Sequence, residues 1–253
     1  QTPNDGACTD VQNNFVYTQT EDGESYTVSF CLGKATGNFS AGPKCLTPSG
    51  IIDFDCSAPE LCSAATVCGS SCDYGGQNYN TVQIGAQCWF KENLNIGDRI
   101  DNSGAYCVQI DPSHDLWSCQ TNDSALEKYC YDNDSGNCDN YGGLYEWAEA
   151  LDLPYACNNA YIAGACTINT PHQGICPDGW HIPTAGEQEM LAQTADDDPG
   201  CTFGTCYTAG GKLKSISWDG TDDYGFSALP AGAGYMSKFN SLAASFNLWS
   251  ATP

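Results

Sequence analysis

Apolar and polar positions along this chain repeat over short periods, and the texture changes near residue 76. Phe15-Val16-Tyr17-Thr18 and Ser25-Tyr26-Thr27-Val28-Ser29-Phe30-Cys31-Leu32 alternate or run in β-branched and aromatic residues, which predicts two strands. Between them, Thr20-Glu21-Asp22-Gly23-Glu24 is a polar turn whose Gly tolerates positive φ, so the pair is expected to form a hairpin. Gly37-Asn38-Phe39-Ser40-Ala41-Gly42-Pro43 is a further turn-rich stretch before Cys45. Tyr79 to Phe90 reads as two more strands around a turn at Gly85. Helical spacing follows. Over 142–151 it places Leu144, Trp147, Ala148 and Leu151 on one face, with Glu146 and Glu149 facing out. Thr184-Ala185-Gly186-Glu187 is a capping box opening a helix expected to bury Met190 and Leu191. Lys212-Leu213-Lys214 ends a short third helix. The remainder is loops and short strands, long enough to need disulfides or bound ions to hold them.

The cysteines change this picture most. There are 17 in 253 residues, too many and too evenly spread to be reactive centres, so they predict a disulfide framework made in an oxidising compartment. Its members are Cys8, Cys31, Cys45, Cys56, Cys62, Cys68, Cys72, Cys88, Cys107, Cys119, Cys130, Cys138, Cys157, Cys166, Cys201 and Cys206. The odd count leaves one over. Cys56, Cys62, Cys68 and Cys72 lie among small residues with little apolar surface to bury, so disulfides must staple that stretch. A thiolate zinc cluster there is the weaker reading, because no His lies nearby. Three regions result: a β-rich segment over 1–55, a cysteine-rich linker over 56–76, and one domain over 77–253.

Charge narrows the function classes. Thirty-one acidic residues face 8 basic ones, a formal net charge of −23, and Arg99 is the only arginine. Such a surface repels phosphate backbones and anionic lipid heads, which argues against nucleic-acid and direct membrane binding. A content of 41% hydrophobic residues is globular rather than disordered. No apolar run approaches the roughly 20 residues that span a bilayer. No signal peptide is present, so Gln1 reads as a mature or engineered start. The expected location is extracellular or at the cell surface.

Five stretches stand in a recognisable order: Thr81-Val82-Gln83-Ile84-Gly85 with Gln87-Cys88-Trp89 and Glu92-Asn93-Leu94-Asn95; Tyr141 to Trp147; Gly174 to Pro183; Gly225 to Gly232; and Leu248-Trp249-Ser250-Ala251-Thr252. With them the chain resembles the Fibrobacter succinogenes major paralogous domain, a family of secreted bacterial modules. The resemblance implies an α+β, C-type-lectin-like fold, two helices on a small twisted antiparallel sheet with long loops, preceded by the disulfide-rich β segment. In the family the pattern continues to closing strands that carry a final cysteine, whereas this chain stops at Pro253. The resemblance therefore implies that the last strands are missing and that the leftover cysteine, with Cys176 as the candidate, has its partner there. Tyr26 to Gly33 and Thr47 to Ile51 are similar, more faintly, to the β-region of pilin-like proteins, without the long apolar N-terminal helix of a pilin.

Candidate sites are few. Asp132-Asn133-Asp134-Ser135-Gly136-Asn137-Cys138-Asp139 spaces carboxylates and a Gly as a calcium loop does, with Asp132, Asp134 and Asp139 as ligands. The third acid before the Gly and the bidentate Glu after it are lacking, and the bland reading is an acidic turn stapled by Cys130 and Cys138. Calcium is the one cofactor expected. Asp196-Asp197-Asp198 and Asp219 to Asp223 read as solvated loops, and the Glu-Pro-Asn and Trp-Asn-Asp motifs of calcium-dependent lectins are absent. Trp89, Trp147, Trp180, Trp218 and Trp249 read as core and Trp117 as exposed. His114, His172 and His181 show no metal-ligand spacing, and no nucleophile elbow or phosphate loop occurs. Asn38, Asn122 and Asn133 open sequons that in a bacterial protein would be incidental.

These readings converge on a non-catalytic extracellular cell-surface or filament subunit, pilin-like at its start and displaying the lectin-like head for assembly or adhesion, whose partner is a copy of itself. The alternative is a monomeric recognition module that binds a glycan or protein through the loops over 102–139. A catalyst resembling the formylglycine-generating enzymes is a third and weaker reading, since a shared fold does not carry function.

Overall fold

A computed structural model describes residues 15–19, 26–37, 41–47, 50–52, 61–102, 107–159, 166–202, 204–235 and 238–252. The expected hairpin turn at 20–24, the sequon at Asn38, and Cys8 and Cys56 lie outside these. The chain divides into two compact units, Gln1–Glu60 and Leu61–Pro253. The division falls at residue 60 rather than near 76, because the cysteine-rich stretch from 61 onward is stitched into the second unit. Cys62 bonds Cys72, Cys68 bonds Cys88, and the strand carrying Cys72 pairs with the next one.

The first unit is a four-stranded antiparallel meander of β1 (Val16–Gln19), β2 (Tyr26–Leu32), β3 (Gly42–Thr47) and β4 (Gly50–Ile52), in that spatial order. The alternation in the sequence thus forms the two strands expected, paired with Tyr17 opposite Val28. Cys31 and Cys45 are buried and disulfide-bonded.

The second unit mixes short helices with small sheets. β5 (Ser71–Tyr74), β6 (Gln77–Ile84) and β7 (Gln87–Phe90) form an antiparallel sheet, with Gly85 at positive φ in the tight β6–β7 turn. β8 (Asp98–Arg99) pairs in parallel with β11 (Glu127–Lys128), while β9 (Val108–Asp111) and β10 (Leu116–Ser118) make a hairpin. α1 (Ser135–Tyr141), α2 (Trp147–Ala150), α3 (Ala185–Ala195) and α4 (Ala209–Leu213) are the helices, and β12 (Ala233–Tyr235) pairs with β13 (Lys238–Asn240). Thr184 caps α3 in the expected capping box, closing two orphan backbone donors at once.

Three apolar clusters hold this unit. Ile96, Leu151, Ile175 and Ile182 form one; Ile84, Leu191 and Phe226 form a second with Trp89 against them; Cys62, Cys72 and Tyr79 form a third. Phe90 stacks on Trp180 with centroids 4.1 Å apart, a geometry that favours aromatic pairs. Six disulfides lie among the described residues: the two named above, Cys107–Cys119, Cys130–Cys138, Cys157–Cys166 and Cys201–Cys206.

Two helical expectations are corrected. The helix over 142–151 is a single turn, α2, because Gly142 has φ 83° and a Cβ there would lie 2.4 Å from the Asn93 Cβ. The close approach of Asn93 keeps the chain extended until Glu146. Met190, expected in the core, is exposed, whereas Leu191 is buried.

Candidate functional site

In the second unit a cluster of polar atoms from Ser118, Cys119, Gln120 and Asn158 gathers around Glu146, a residue that helical spacing places in solvent. Its backbone caps α2 without a side-chain cap bond, so the carboxylate is free to turn inward. Ser118 Oγ donates to Oε2 at 2.6 Å, Cys119 N donates to Oε1 at 2.8 Å, and Asn158 Nδ2 donates to Oε2 at 2.8 Å. Gln120, almost fully buried, accepts from Glu146 N and donates to Glu127 O and Leu144 O. Asn158 also accepts from Ala148 N at 2.8 Å. One half-buried carboxylate therefore fixes the end of β10, the start of α2 and the 3-10 turn Tyr155–Asn158. Burial raises its carboxyl above the usual range, and the hydrogen bonds from Ser118 and Cys119 oppose that rise.

Glu149 and Glu127 complete a carboxylate group beside it. Glu149 Oε1 accepts from Glu127 N. Burial, reinforced by the charges of Glu127, Glu146 and Asp123, pushes the Glu149 carboxyl up to about 7. The Tyr129 hydroxyl is buried against these carboxylates, and burial followed by the charges of Glu146, Glu127 and Glu149 raises it well above the ordinary tyrosine value. The signal in the sequence was a Glu between Tyr145 and Trp147, an acid inside an aromatic run. Helical spacing over 142–151 assigns that acid to the solvent face.

What the hub holds is the β9–β10 hairpin. Cys107–Cys119 closes its base. At its tip Asp111 accepts from Ser113 N at 2.8 Å, pairs with His114 Nδ1 at 2.8 Å and accepts from Asn159 Nδ2 at 3.4 Å. Asp115 Oδ1 accepts from the Trp117 indole at 3.0 Å and from Gln109 Nε2 at 3.2 Å. Trp117 is exposed, as expected. Trp249, expected in the core, is exposed too, with its indole donating to Tyr145 O at 2.7 Å.

The five ordered stretches spend their polar groups on one another. Asn93 Nδ2 donates to Tyr141 O at 2.8 Å, and Gly143 N donates to Leu94 O. The Tyr145 hydroxyl donates to Ile96 O and accepts from Ile96 N. Trp147 Nε1 donates to Ser250 O at 3.0 Å, and Ala185 N donates to Thr252 Oγ1. His181 pairs with Glu187 at 2.9 Å. His172 is buried and accepts at Nδ1 from Asn169 N, which leaves Nε2 to donate to Leu151 O at 2.7 Å. These are the bonds of a scaffold.

The sites expected from the sequence fare differently. Asp132 sits at positive φ in a 3-10 turn, Asp134 Oδ1 caps α1 by accepting from Gly136 N at 2.9 Å, and Asp139 lies exposed within α1. Their carboxylates are not gathered. Among the described residues the one set of three potential metal ligands lying within 4.8 Å of one another is Asp196, Cys201 and Cys206, and both its sulfurs are spent in a disulfide. Asp196 is not a merely solvated acid. It accepts from Asp198 N, Thr208 N and Ala209 N, which hold its carboxyl down at about 2. Cys176 is the free cysteine among the described residues; it is buried, and burial pushes its thiol up to about 12.

The family model described as the Fibrobacter succinogenes major domain matches residues 82–253. No curated protein and no solved structure matches the chain.

Proposed function

From the premise that the chain belongs to the Fibrobacter succinogenes major domain family, we propose that it is a non-catalytic extracellular subunit of a cell-surface or filamentous assembly. The carrying observation is that polar residues of the family stretches bond each other and the backbone, as with Asn93 to Tyr141 and Trp147 to Ser250, which fits a scaffold. The six disulfides support an oxidising location. No helix among the described residues is long and apolar enough to cross a membrane, and the charge of −23 disfavours a nucleic-acid partner.

In this reading the second unit is a C-type-lectin-like head. α3 and the β6–β7 hairpin share one apolar cluster through Leu191 and Ile84, which is the kind of helix-on-small-sheet packing that such a head requires. The first unit, a pilin-like β segment, supplies assembly contacts, and the head presents the β9–β10 hairpin. Electron microscopy of the protein taken from its native source tests this. Ordered filaments or surface arrays are the expected result, and dispersed single particles would favour a monomeric recognition module.

A further inference from the structure

The register of the first unit aligns Tyr17, Val28, Leu46 and Ile51 in one cross-strand row, since Tyr17 lies opposite Val28, Val28 opposite Leu46, and Leu46 opposite Ile51. Directly paired antiparallel residues point to the same face. On that face Phe15 stacks on Phe30 with centroids 5.8 Å apart, and Tyr17 stacks on Tyr26 at 6.0 Å. The face is open along its β1 and β4 edges, where Phe15 is 78% exposed, Tyr17 60% and Ile51 43%, half-buried at Val28, Phe30 and Leu46 between them, and closed at Lys44 on β3. Exposed aromatic surface of this kind marks an interaction site.

We propose that this aromatic face of the β1–β4 sheet packs against the same face of a second copy of the chain. The proposal rests on the assembly reading above and names the contact that such an assembly uses. Charge selects the occupant. The segments 15–19 and 26–32 carry no charged residue in a chain of net charge −23, and Lys44, opposite Phe30, is buried at 1% exposure. A basic partner would be drawn to the acidic surface elsewhere, whereas two copies repel least where neither is charged. Strand β1 also lacks the Pro, Lys or other charge that usually guards an edge strand against pairing.

Size sets the strength. Four strands about 4.8 Å apart and on average about five residues long cover roughly 300 Å² in plan. A stable isolated dimer buries about 800 Å² per partner. One such contact is therefore weak by itself and suits an assembly that repeats it many times.

Sedimentation of the full chain over a concentration series tests the proposal. The expected result is reversible self-association that strengthens with added NaCl, because salt screens the repulsion between acidic copies and leaves an apolar contact intact. Tyr17→Glu and Phe15→Glu, both at exposed positions, each weaken it at least about tenfold, with the melting temperature unchanged. An acidic-surface control, Asp223→Lys, leaves association through the aromatic face in place. Association that survives both Glu variants overturns the proposed face but not the assembly reading. A wild-type chain that stays monomeric overturns both. Hydroxyl-radical footprinting of dilute protein adds a separate check, since protection of Tyr17 in the monomer would mean the chain covers its own face and would overturn the proposal.

Discussion

Glu149 is half-buried where Glu127, Glu146 and Asp123 all oppose its charge, and its carboxyl titrates near 7 instead of the ordinary 4.5. A carboxyl raised on folding binds its proton more tightly in the native state, so stability is greatest with the proton on. It declines as pH rises from about 4.5 through about 7. After allowance for solvent screening at a half-exposed site, the loss is about 1–2 kcal/mol. Asp196 acts in the opposite sense, because its carboxyl is held at about 2; its contribution is present above about 4 and disappears in stronger acid. Denaturant melts from pH 4 to 9 should therefore show a maximum near pH 5, and Glu149→Gln should flatten the limb above it. A limb unchanged by that variant would assign the pH dependence to general repulsion. Glu146 is the costlier residue to lose. Glu146→Ala strands the donors of Ser118, Cys119 and Asn158, for an expected loss of about 2–4 kcal/mol in urea unfolding, with Glu146→Gln losing less.

At the scale of elements, local signals were legible where a few neighbouring residues decide the outcome. The capping box of α3 needs only Thr184 and Glu187, and Thr184→Ala should cost about 1 kcal/mol in the same assay. Alternation in 15–18 and 79–90 sufficed for strands, because a period of two has one satisfactory conformation. The region 142–151 failed as a long helix because its conformation is set by Asn93, some fifty residues away. The inward turn of Glu146 follows from the same distant packing. Spacing alone could not weigh a calcium loop against a helix start over 132–139. Asp134 now caps α1 and would have to leave that cap to hold an ion. A melting temperature that rises in millimolar calcium for the wild type but not for Asp134→Asn would demonstrate such a switch, and an unchanged one leaves capping as the role of that carboxylate.

For the molecule as a whole, disulfides do what a continuous core does elsewhere. The buried apolar residues of the second unit fall into small clusters, two of them joined through the half-buried Tyr74 and Leu94, and the loops between them are closed by bridges spanning 5 to 20 residues. Bridges of this kind typically contribute about 2–4 kcal/mol each, so the account's central claim, an oxidised extracellular scaffold, can be tested through its thiols. The most direct measurement is mass-spectrometric mapping of alkylated cysteines in protein taken from its native source, labelled with and without denaturant and never reduced. The account predicts the six pairs found here, from Cys62–Cys72 to Cys201–Cys206, with Cys176 labelled only after denaturation because its thiol is buried and titrates near 12. Free thiols at those twelve positions in the native protein would contradict it.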